Sequence, residues 1–121
     1  MAQVRYLVDD VDAAVAFYTG KLGFSLEQQY GGAMAILALG DLKLWLGGPA
    51  STAARPMPDG AQPVPGGWNR FALTVSSLDD LVARLRADGV RFRNEIVEGP
   101  GGRQILCEDP SGNVVELFEL R

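Results

Sequence analysis

Apolar and polar side chains alternate along this chain in segments that occur twice in the same order. Gln3 to Val8 sets Val4, Tyr6 and Val8 on one face against Gln3, Arg5 and Leu7 on the other, the period-two signature of a strand. Asp9, Asp10 and Asp12 follow, a residue type that caps a helix and complements its N-terminal partial charge. Val11, Ala14, Val15, Tyr18 and Leu22 then recur at helical spacing, and Gly23 is the expected stop. Phe24 to Tyr30 alternates again and Gly31-Gly32 turns the chain. Residues 33–39 and 42–46 predict two more strands about a tight Gly40-Asp41 turn.

The second pass begins with a strand over 70–75. Ser77-Leu78-Asp79-Asp80 is a capping-box-like helix start, with Leu78, Leu81, Val82 and Leu85 as the buried stripe and Gly89 as the stop. Residues 90–97 predict a strand with Val90, Phe92 and Ile96 inward and Arg91, Arg93 and Glu95 outward. Residues 103–108 predict another. Asp109, Pro110 and Gly112 are turn chemistry, and the last strand sets Val114, Glu116 and Phe118 opposite Val115 and Leu117. The pattern predicts an α+β fold of two tandem βαβββ modules, residues 3–46 and 70–120 of a single domain 1–121. Its curved mixed sheets would carry helices outside and a concave cavity inside. The connection 47–69 holds Pro49, Pro56, Pro58, Pro63 and Pro65, too many for regular structure, and is expected to form a lid or a dimer arm.

Composition narrows the chemistry. The 121 residues contain no histidine, which excludes Ser-His-Asp and Cys-His devices and removes the commonest metal ligand. A net charge of −4 argues against nucleic acid as a partner. No apolar run is long enough to span a bilayer and the first residues lack a signal-like core, so a cytoplasmic setting is expected. The single Cys107 lies in an apolar run and reads as core. Gly99-Pro100-Gly101-Gly102 leads into a strand, not a helix, so it is no phosphate cradle. Glu116 is the demanding residue: a carboxylate between Val114 and Phe118 needs a partner.

Val8-Asp9-Asp10-Val11-Asp12, Phe17-Tyr18, Leu22-Gly23-Phe24 and the run from Glu108 to Leu117 resemble the vicinal oxygen chelate superfamily. That group includes glyoxalase I, extradiol dioxygenases, and fosfomycin- and bleomycin-resistance proteins. The resemblance implies metal-ligand positions at Gln3, at Arg70, at Glu116 and, in the last strand of the first half, at Lys43 or Trp45. Of these Glu116 is a ligand and Gln3 a weak one, whereas an arginine repels a cation and keeps its proton. No cofactor is therefore expected. The resemblance is strongest in character to the bleomycin-resistance branch, which implies a homodimer sequestering a small hydrophobic or aromatic molecule, an antibiotic or a metabolite. The expected ligand-binding residues are Arg5, Lys43, Trp45, Trp68, Arg70, Leu106, Glu116 and Phe118, and the three cations among them favour neutral or anionic ligands. The alternative is a glyoxalase-like lyase or isomerase, or a dioxygenase-like enzyme. It would hold a divalent metal through Gln3, Glu116 and waters, with Glu116 as its central residue.

Overall fold

A computed structural model describes all 121 residues. The chain divides into two compact units, Met1–Gly66 with Pro110–Asn113, and Gly67–Asp109 with Val114–Arg121.

The first unit runs β1 (Val4–Leu7), α1 (Val11–Leu22), β2 (Ser25–Tyr30), β3 (Met34–Leu39) and β4 (Leu42–Gly47), with sheet order β1-β4-β3-β2. β1 lies parallel to β4; the other neighbours are antiparallel. Asp10 caps α1 by accepting the Ala13 N–H at 3.1 Å, and Gly23 closes it in the left-handed region at φ 80°. The buried stripe of α1 is Val11, Ala14, Phe17 and Tyr18. Val15 and Leu22 are only half-buried, because Phe17 takes the core position, its ring edge-on to Tyr18 at 5.1 Å. The Pro-rich segment is not wholly irregular: Thr52–Ala54 forms one 3₁₀ turn. Gly48 is buried so tightly that a Cβ would meet Gly32 O at 2.5 Å and Val11 Cγ2 at 2.7 Å.

The turn 110–113 belongs to this unit through its side chains. Asn113 donates from Nδ2 to Leu7 O at 2.7 Å and accepts the Gly66 N–H at 2.8 Å, while Ser111 Oγ accepts the Asp9 N–H at 2.8 Å. An amide buried to 4% exposure thus satisfies two backbone groups far apart in sequence.

The second unit repeats the plan as β5 (Phe71–Thr74), α2 (Leu78–Ala87), β6 (Val97–Glu98), β7 (Gly102–Glu108) and β8 (Val114–Leu120), in order β5-β8-β7-β6 with β5 parallel to β8. Ile105, Cys107, Val115 and Leu117 are fully buried, as are Leu78 and Leu85 of α2. Desolvation pushes the Cys107 thiol up to about 12, so it is core and not nucleophile. The expected capping box does not form. Ser77 makes no side-chain cap, and the Leu78 N–H is taken by Glu119 Oε2 at 3.2 Å. A carboxylate carried by β8 is held in place there because Arg103, its cross-strand partner, bonds Glu119 at 3.1 Å, Glu98 at 2.9 Å and Asp79 at 2.8 Å. Hydrogen bonds from Arg103 hold the Asp79 carboxyl below its ordinary value.

The strand expected over 90–97 is mostly absent. Phe92 makes a single bridge to Cys107 and Arg93 N–H reaches Leu106 O, but the Leu106 N–H is then taken by Asn94 Oδ1 at 3.0 Å. A side-chain amide replaces the next ladder bond, and regular pairing resumes only at Val97.

Gly102 is required where β7 and β8 meet. A Cβ there would lie 2.2 Å from Glu119 O and 2.9 Å from Phe118 Cζ. Gly102→Ala is therefore expected to destabilise the fold by about 1–3 kcal/mol, read from the urea midpoint, and an unchanged midpoint would contradict this packing.

Candidate functional site

Strand parity decides what the second unit presents on the sheet face away from Val115 and Leu117. Register sets Glu116 beside Ala72 on β5 and Leu106 on β7, and Phe118 beside Thr74 and Gln104. One step toward the strand start, Val114 pairs with Glu108. Arg70 immediately precedes β5, at the Val114 end of this face. Leu106 is buried and Phe118 half-buried.

The partner that Glu116 needs is Arg70. Its Nε and Nη2 each lie 3.0 Å from the same oxygen, Oε1, and its Nη1 donates to Trp68 O at 3.3 Å. The side chains of the pair are 30% and 15% exposed, so it is neither fully screened nor fully desolvated. The guanidinium thus does two jobs: it neutralises the carboxylate and fixes the backbone that carries Trp68.

Trp68 is 67% exposed, and a second cation supports it. The Arg93 guanidinium lies 4.5 Å from the indole centroid and donates from Nη1 to Gly67 O at 2.7 Å and from Nε to Glu108 Oε2 at 2.8 Å. Arg91 reaches the other Glu108 oxygen at 3.5 Å. A cation–π contact of this kind contributes about 0.5–2 kcal/mol. Arg93 and Glu108 are absent from the expected ligand-binding set. The sequence signal was only the alternation of Arg91 and Arg93 against Phe92; the bridge from Phe92 to Cys107 is what puts both arginines on the face that Leu106 and Glu108 share.

In the first unit, Arg5 and Trp45 are register partners on β1 and β4, and the guanidinium sits 5.3 Å from the indole centroid. Lys43 is neutralised by Glu27 at 2.6 Å, which removes one of the three cations expected to set the local charge. Gln3 precedes β1 and is exposed. No group of three or more His, Cys, Asp or Glu is placed to hold a metal ion. In the second unit a cleft of about 540 Å³, lined by Asp79, Val82, Ala83, Arg86, Glu95 and Ile96, holds none of the expected site residues.

A family model described as the Glyoxalase/Bleomycin resistance protein/Dioxygenase superfamily matches residues 1–117. The chain belongs to that superfamily. Among solved superfamily structures it is similar to lactoylglutathione lyase from Agrobacterium tumefaciens, with 24% identity and a TM-score of 0.76 over 98% of this chain and 92% of that one. It is similar also to TnmS3, an antibiotic binding protein from Streptomyces sp. CB03234, with 28% identity and a TM-score of 0.71 over 100% and 98%. The fosfomycin resistance protein FosX from Listeria monocytogenes shares 17% identity and a TM-score of 0.73 over 100% and 93%. No curated protein sequence matches. The lyase and FosX likenesses bear on fold alone.

The exposure of the Arg70–Glu116 pair sets its strength. A double-mutant cycle with Arg70→Met and Glu116→Gln is expected to give a coupling of about 1 kcal/mol that weakens in high salt, and a coupling near zero would mean the two side chains do not meet in solution.

Proposed function

We propose that this chain binds and sequesters a small planar aromatic molecule, an antibiotic or a metabolite, with no resident metal. The observation that carries the reading is Arg70. At the position where the family resemblance implies a metal ligand, a permanent cation lies 3.0 Å from Glu116 Oε1. A divalent ion on that oxygen would have to displace a guanidinium or tolerate it at contact distance. The donor set does not fit a transition-metal centre.

What remains at the site is suited to recognition. Trp68 offers a large, rigid aromatic surface at little entropic cost, next to the Arg70–Glu116 pair, and the sheet face that carries Glu116 continues through the apolar side chains of Leu106 and Phe118. The likeness to TnmS3, whose name records antibiotic binding, runs the full length of both chains and supports the same reading. The reading includes a homodimer, which sedimentation equilibrium tests.

The experiment is a thermal-shift and fluorescence titration with a panel of planar aromatics that includes 1,2-dihydroxyanthraquinone. A ligand present at a hundred times its Kd should raise Tm by on the order of 10 °C and quench tryptophan emission, with both effects lost in Trp68→Ala. A panel that moves neither Tm nor emission would contradict the proposal.

A further inference from the structure

The two faces of the Trp68 indole are not equivalent. One is covered by the Arg93 guanidinium at 4.5 Å, while the residue as a whole stays 67% exposed. Arg93 is itself well fixed, its side chain 18% exposed and bonded to both Glu108 and Gly67 O, so the ring is clamped from beneath and its backbone from both sides. A ligand can stack only on the outer face.

We infer that Arg93 is a positioning and specificity-determining residue, which makes Trp68 a one-sided stacking platform for anionic or neutral aromatics and against cationic ones. This rests on the binding function proposed above. Two features support it. A cation on one face of a π system draws electron density toward itself, so the outer face of this indole is a poorer host for a second cation. The ion-paired cluster around Trp68 leans the same way: three guanidiniums, Arg70, Arg91 and Arg93, stand against two carboxylates, Glu108 and Glu116. Glu108 offsets part of the Arg93 charge and Glu116 part of that of Arg70, and the surplus is positive in a protein whose total is −4. Net charge alone would favour cationic ligands; the local arrangement reverses the preference.

The test uses the full chain carrying Trp45→Phe, so that Trp68 alone reports. Its emission is titrated with three probes: anthraquinone, anthraquinone-2-sulfonate, and an anthraquinone bearing a trimethylammonium group at the same position. The expected result is a Kd for the sulfonate about tenfold or more below that for the ammonium probe at low salt, the ratio shrinking as salt is added. In Arg93→Gln the ratio should collapse toward one. In Glu108→Gln, where the amide oxygen can still accept from Arg93 Nε and the Gly67 carbonyl still holds Arg93 Nη1 but the counter-charge is gone, the sulfonate preference should grow. Should Arg93→Gln fail to fold, the Glu108→Gln ratio decides alone. Equal binding of both charged probes, or tighter binding of the cation, would overturn the inference while leaving an aromatic-binding function intact. Absence of quenching by all three would overturn the inference and the binding function at this face together.

Discussion

A carboxylate on a sheet face between two apolar neighbours must be neutralised, and the choice of neutralising partner sets what this protein can do. Here the partner is covalently part of the chain. Arg70 sits one residue before the strand that pairs with β8, so parallel pairing of Phe71 with Val115 brings the guanidinium to Glu116 without a long reach. A resident cation that cannot lose its proton needs no loading and supplies no Lewis acid. On the reading proposed above, the face that carries this pair serves as a recognition surface.

That surface is held by the regular parts of the second unit. Arg103 ties β6, β7 and β8 to the start of α2, and Gly102 lets β7 lie against β8 where any side chain would collide with Glu119 O. With β7 fixed, Glu108 is fixed, and with Glu108 the Arg93 guanidinium under Trp68. An exposed indole is ordinarily free to change rotamer. Here Arg70 and Arg93 hold the backbone through the Trp68 and Gly67 carbonyls, and the Arg93 guanidinium packs on one face of the ring itself. Recognition by a preset aromatic surface loses less entropy on binding than recognition by a mobile one.

The repeat of two βαβββ modules was legible because periodicity reports which face of an element is buried, and most elements of both modules obey it, with β2 and residues 90–97 as the exceptions. Glu116 was legible as a residue needing a partner, and Arg70 as the cation at the matching position. Three features were not. Phe17 displaced Val15 from the core because helical spacing tolerates either, and only packing against Tyr18 decides. The helix cap moved from Ser77 to Glu119, a residue 42 positions later that no local pattern could nominate. Arg93 and Glu108 went unrecognised as a pair because their contact depends on the irregular path of 90–97, itself set by the Asn94 side chain. Long-range polar pairs of this kind follow from tertiary structure, and local sequence only restricts their candidates.

On the reading proposed above, Arg70 takes the place of a metal on Glu116. The most direct measurement is a calorimetric titration of chelator-stripped protein with zinc, nickel, manganese and, anaerobically, ferrous iron. No stoichiometric heat of binding is expected at micromolar protein for any of the four. Stoichiometric binding that disappears in Glu116→Ala would contradict that reading, because it would show that the carboxylate takes a metal in spite of the arginine beside it.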